Sequence, residues 1–178
     1  MTWDAFHRRG EVLRAVVHQA DARRDGILPL DVPGVTDTFG DALDLIAALQ
    51  LRWHTRLAGR IEQSLADQPT DPESAVLDGW RATASELAGV RLVLDRALTE
   101  PASEEAAATL RRAQDKDWAL MAAMAGLAGA TDAAAPSVGR ALEQRARATF
   151  RSVSPARHRA DRAAPTSLMG RLKAVLAA

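Results

Sequence analysis

The sequence predicts an all-α protein: an antiparallel up-down four-helix bundle with an additional basic C-terminal helix and a short terminal amphipathic helix. Three observations carry that prediction. Alanine occurs 38 times, against 3 Phe, 4 Trp and no Tyr; alanine is the strongest helix former, whereas strands draw on β-branched and aromatic residues that are scarce here. Apolar residues recur at alternating spacings of three and four over long stretches, the pattern of a helix with one buried face. Prolines, glycines and capping residues fall between those stretches, where helices start and stop.

Helix one is expected from about Asp4 to Arg24, with Trp3, Phe6, Gly10, Leu13, Val17 and Ala20 facing inward. Asp25-Gly26 closes it, since glycine accepts the left-handed conformation that follows many helices. The connection from Ile27 to Thr36 holds Pro29, Pro33 and Gly34 and is not helical; its Ile27, Leu28, Leu30 and Val32 read as a strap across one end of the bundle. Helix two starts near Asp37 or Thr38 and continues to about Ala66, on a seam of Phe39, Ala42, Ile46, Leu49, Trp53, Leu57 and Ile61. The short turn Asp67-Gln68-Pro69-Thr70 forces the next helix to return antiparallel. Asp71-Pro72-Glu73 then supplies a capping carboxylate, proline at the first helical position and an acid at the positive helix end. Helix three, with Val76, Trp80, Ala84, Leu87, Leu94 and Leu98 inside, runs to Glu100-Pro101. Ser103-Glu104-Glu105 opens helix four in the same way, and its stripe is Leu110, Met121, Met124, Ala125 and Ala128. A break at Thr131 to Pro136 precedes a fifth, basic helix over about Pro136 to Phe150.

The expected organisation is a helical-bundle domain over 1–150, a basic flexible linker over 151–166 and a docking helix over 167–178. The linker reading rests on Pro155, Pro165, two serines and many arginines. In the last segment Leu168, Met169, Leu172, Val175 and Leu176 form one apolar face. Formal net charge is zero, but residues 1–139 carry 14 basic and 21 acidic side chains and residues 140–178 carry 9 and 2. A basic terminal segment on an acidic body suits an acidic partner, nucleic acid or an anionic membrane surface, the last two ranked lower, or folds back onto its own body.

Several classes of function are excluded or left without support. No cysteine means no disulfide framework, thiolate zinc site or cysteine nucleophile, and places the chain by expectation in a reducing cytoplasm. The N-terminus, Met1-Thr2-Trp3-Asp4, lacks the basic-then-apolar order of a signal peptide. The richest apolar stretch, Trp118 to Ala130, falls short of the roughly 18 residues that span a bilayer. Arginine outnumbers lysine 21 to 2, which with the alanine excess reads as the coding bias of a GC-rich bacterial genome. A di-iron bundle would need Glu-x-x-His pairs, and none occurs. No glycine-rich phosphate loop or serine nucleophile elbow is present. No cofactor and no catalytic residue are therefore expected. His7, Glu11 and His18 lie within about 40° on one face of helix one. They are the nearest thing to a metal set, and a solvated face is the preferred reading.

Polar residues inside apolar stripes are the other candidates: His54 on helix two, Arg91 on helix three, Gln114 and Asp117 on helix four. A buried charge costs several kcal/mol unless paired. Arg91 is therefore expected to pair with Asp117, and Gln114 and His54 to complete the network. As structure, this network would fix helix register. As function, it would be a small-molecule or enzyme site in which Arg91 takes a carboxylate or phosphate and His54 donates or accepts a proton. The leading expectation is instead a non-enzymatic interaction or regulatory protein that docks a partner, or a second copy, through the basic arm and its terminal helix. Nucleic-acid binding through Arg140 to Arg162 ranks last, because no stacking aromatics accompany the charge.

Overall fold

A computed structural model describes residues 3–163, and side chains within 6–150. Among the described residues the chain is all-helical, with seven helices and no strand. They are α1 (Trp3–Arg23), α2 (Val35–Thr38), α3 (Ala42–Asp67), α4 (Pro72–Glu86), α5 (Ala88–Thr99), α6 (Glu104–Met124) and α7 (Ala135–Ala163). No described helix is long and apolar enough to cross a membrane.

Three helix starts follow from capping side chains. Asp41 accepts the backbone N–H of Asp44, Asp71 that of Ser74, and Ser103 that of Ala106, each satisfying a donor the first turn cannot pair internally. Helix two, expected from near Asp37 or Thr38, starts later, and a short helix forms at the end of the strap instead. Phe39 and Gly40 are outside any helix, α2 is a separate turn, and α3 begins only after the Asp41 cap. Of the strap, Pro29 and Val35 are buried, while Ile27 and Leu30 stay exposed.

α3 keeps the later part of the expected seam, with Leu49, Trp53, Leu57 and Ile61 buried, but at its start Leu45 is buried in place of the expected Ala42 and Ile46, which are exposed and half-buried. α4 folds back along it, and Trp53 meets Trp80 edge-to-face at 6.2 Å between ring centroids, a favourable aromatic geometry. α1 is rotated from its expected setting. Val12, Val16, Val17 and Ala20 enter the core, and Phe6 is 67% exposed. Arg9 accounts for the rotation: it makes two hydrogen bonds to Asp44, at 2.7 and 3.2 Å, and stacks 4.3 Å over the Phe39 ring. A planar guanidinium held at both ends leaves Phe6 on the outer side of the helix.

Helix three proves to be two helices, α4 and α5, separated at Leu87. A contact from far along the chain meets the break. The Gly89 N–H, in the unpaired first turn of α5, donates to the Asp21 carboxylate of α1 at 2.6 Å. A Cβ at Gly89 would overlap the backbone of Ala20 and Asp21, so only glycine lets the two helices approach this closely. Gly139 plays the same part where α7 meets α6, at the Trp118 carbonyl.

The first compact unit ends at Ala146, and the chain from Arg147 onward forms a second. Residues 151–163, where composition predicts a flexible linker, are helical as the continuation of α7. Ala156, Arg157, Arg159, Ala160, Arg162 and Ala163 are strong helix formers, and their summed propensity runs against the breaking effect of Pro155. The rest of that linker and the expected docking helix at 167–178, with Leu168, Met169, Leu172, Val175 and Leu176, lie outside the described residues.

Candidate functional site

The interior polar residues are buried largely as their helical phase requires, but they sort into three clusters instead of one. The first joins α3 to α6. Asp117 is 1% exposed and both its oxygens are occupied: Gln50 Nε2 donates to Oδ2 at 2.8 Å, and His54 Nδ1 stands 2.6 Å from Oδ1. A carboxylate has no proton to give, so Nδ1 carries the hydrogen and donates. The same hydrogen bond raises the His54 pKa above its ordinary value, against a lowering by partial burial and by nearby Lys116. Nε2, on the other edge of the ring, makes no hydrogen bond among the described residues.

The second cluster joins α6 to α7. Gln114 Nε2 donates to Glu143 at 3.1 Å, and the Trp118 indole N–H donates to the same oxygen. Glu143 is 5% exposed, and Arg140 lies 5.8 Å over the Trp118 ring. Gln114 therefore serves Glu143 and not Asp117. Glu143 was not singled out from sequence; its signal is the one acid of the stretch 136–150, beside inward-facing Leu142.

The third cluster holds Arg91. The expected Arg91–Asp117 pair does not form, since Asp117 is saturated by His54 and Gln50. Arg91 is 4% exposed, stacks 4.7 Å over Trp53 and lies 3.0 Å from Asp95, one turn along its own helix. None of its three side-chain nitrogens makes a hydrogen bond of good geometry. An i, i+4 acid was the nearer partner by chain connectivity.

Two surface features flank α3. A groove of about 320 Å³ between α3 and α6 opens above the His54–Asp117 pair; Leu43, Ala47, Leu51, Leu110 and Ala113 form its apolar walls and Lys116 its rim. On the other side of α3, a cleft of about 700 Å³ is bounded by Phe6, Gly10 and Leu13 of α1 and by Ala48, Leu51 and Arg52 of α3. Leu51 stands between the two and is 66% exposed. The carboxylates of the cleft are engaged: Asp44 by Arg9, and Glu86 by Arg56 and Arg60. Those arginines hold both carboxyl pKa values below the ordinary range, led by the Arg9 hydrogen bond to Asp44 and the Arg56 hydrogen bond to Glu86.

His7, Glu11 and His18 are all exposed on α1, and no group of three His, Asp or Glu side chains spaced to hold a metal occurs among the described residues. No family model matches the chain, and no curated protein or solved structure matches it.

Proposed function

We propose that this chain is a non-enzymatic interaction protein whose body takes an acidic amphipathic helix of a partner into the α1–α3 cleft. The observation that carries the reading is the pairing of Phe6 and Leu51, two large apolar side chains about two-thirds exposed at 67% and 66%, around one open cleft of about 700 Å³. Contiguous exposed apolar surface of this kind marks binding surfaces far more often than isolated exposed residues do. α1, α3, the α4–α5 pair and α6 serve, in this reading, as the four legs of an up-down bundle, and the cleft is the seam between two of them.

Charge selects the partner. With Asp44 and Glu86 neutralised by their own arginines, Arg52 is the cation of the cleft without an ion pair among the described residues. The basic arm, with 9 basic and 2 acidic residues over 140–178, favours the same acidic partner, and its terminal segment 167–178 is the second docking element. That segment carries Arg171, Lys173 and no acid, so its own charge opposes docking into the cleft of its own body. Helix-in-groove recognition supplies the mechanism: apolar anchors at i, i+3, i+4 and i+7 enter the cleft, and flanking acids meet Arg52 and the arm.

The test is fluorescence anisotropy with two labelled model helices of identical Leu anchors, one with Glu flanks and one with Lys flanks. The acidic helix should bind, and Phe6→Ala and Arg52→Glu should each weaken it tenfold or more while the melting temperature stays unchanged. Removing Ser167–Ala178 should weaken binding without lowering the melting temperature. Equal binding of both helices, or indifference to Phe6→Ala and Arg52→Glu, refutes the cleft; a lowered melting temperature of the truncated monomer refutes the arm as a docking element.

A further inference from the structure

The α3–α6 groove carries a compact polar group, Gln50, His54, Lys116 and Asp117, in its lining. Its walls are aliphatic on both sides, with Leu43, Ala47 and Leu51 from α3 and Leu110 and Ala113 from α6. At about 320 Å³ it lies at the small end of the range for ligand sites, large enough for a short alkyl chain and too small for a bulky cofactor. α3 and α6 run in the same direction here, since Leu43 lines the groove with Leu110 while His54, eleven residues on, meets Asp117, seven residues on. The apolar walls and the polar groups are therefore segregated along the groove, apolar at one end and polar at the other.

The polar end is built to offer donors. Asp117 is the one carboxylate lining the groove among the described residues, and both of its oxygens are taken by Gln50 and His54. With Nδ1–H committed to Asp117, Nε2 donates to an anion when the ring is protonated, the form that the Asp117 hydrogen bond favours. In that form the His54 Nε2–H and the Lys116 ammonium both line the groove, with Asp117 as its one carboxylate among the described residues. The Asp117–His54 bond fixes the ring, so its outer N–H is oriented before a ligand arrives, which reduces the ordering cost of binding.

We infer that the α3–α6 groove binds a medium-chain alkyl carboxylate, its chain between Leu43, Leu51 and Leu110 and its head group on His54 Nε2 and Lys116. An alkyl amine would set a cation against Lys116, and an alcohol would leave the ammonium without a counter-charge; the carboxylate alone matches both halves of the site. The groove shares Ala47 and Leu51 with the partner cleft on the other side of α3, but its polar end belongs to the groove alone, and the octanoate test does not depend on the partner reading.

The experiment uses the full chain with sodium octanoate as probe, followed by isothermal titration calorimetry and by the chemical shift of the His54 ring. Octanoate should saturate one site, with 1-octanol at least tenfold weaker and octyltrimethylammonium showing no binding. Lys116→Met changes an exposed side chain and should weaken octanoate tenfold or more, narrowing the margin over 1-octanol. Ala113→Phe fills the groove and should abolish binding of both. If 1-octanol binds as tightly as octanoate, the carboxylate assignment is wrong. If octanoate fails to bind, or Ala113→Phe and Lys116→Met bind it like the unmodified chain, the groove is not its site.

Discussion

Replacing Asp117 by alanine removes an acceptor that two side chains share, and the two halves of the loss differ in size. Gln50 is buried and loses the 2.8 Å hydrogen bond of its Nε2; a buried donor left without a partner costs about 1–3 kcal/mol. His54 loses a 2.6 Å bond, but its side chain is 39% exposed. Water replaces much of that interaction, so this half is worth about 0.2–1 kcal/mol, the range of screened pairs. The expected loss is therefore about 1–4 kcal/mol. It is centred below the roughly 3–5 kcal/mol for stranding a fully buried cation, because Arg91 belongs to a different cluster. The His54 half depends on pH with a definite sign. A pKa raised on folding means stabilisation that is complete below the ordinary value of 6.5 and lost as pH rises through the folded value. Urea unfolding followed by far-UV circular dichroism at about pH 5.5 and about pH 9 measures both quantities. The unmodified chain should lose more stability than Asp117→Ala over that interval. A loss on Asp117→Ala under about 0.5 kcal/mol, or an identical pH dependence in the two proteins, refutes the pairing.

Arg91→Met keeps an unbranched chain against Trp53 and removes a buried charge whose nitrogens lack well-formed hydrogen bonds. The melting temperature should hold or rise, by up to about 4 kcal/mol of added stability, and a fall of several degrees would mean that the Asp95 pair is a net stabiliser. Gly89→Ala places a methyl group inside the backbone of α1 and should cost about 1–3 kcal/mol or more. The control is Gly59→Ala, on an open face of α3 with nothing within 4 Å of the new Cβ, which should gain up to about 1 kcal/mol. Equal chemical-denaturation midpoints for the two variants would contradict the close approach of α1 and α5.

What was legible in the sequence was what is encoded locally. The caps at Asp71 and Ser103, the return turn before α4 and the later part of the α3 seam follow from neighbouring residues, and the structure has them. The inward phase of Arg91, Gln114 and Asp117 was legible for the same reason. Their partners were not, because partner choice depends on how helices are placed around one another. The Leu87 break was not legible, because the partner that serves the restarted helix, Asp21, lies 68 residues before Gly89. The rotation of α1 escaped similarly: Phe6, Leu13 and Val17 make a convincing stripe, and only Asp44 and Phe39, on other elements, turn it outward at Phe6. Glu143 was passed over because an acid in a basic helix reads as solvated until Trp118 and Gln114 are set beside it.

The bond from Gly89 to Asp21 makes one amide proton a reporter for a whole helix. From Arg91, whose amide bonds the Leu87 carbonyl, onward the amides of α5 answer to their own helix, and their exchange with solvent deuterium reads the opening of α5 itself. The Gly89 amide answers to α1. Whenever the last turn of α1 lifts away, that proton is released while the interior of α5 stays closed, so the exchange rate at this single position measures the free energy of detaching α1. The order of synthesis adds to this: Asp21 leaves the ribosome well before Gly89, so the acceptor for the first turn of α5 is already made when that turn emerges.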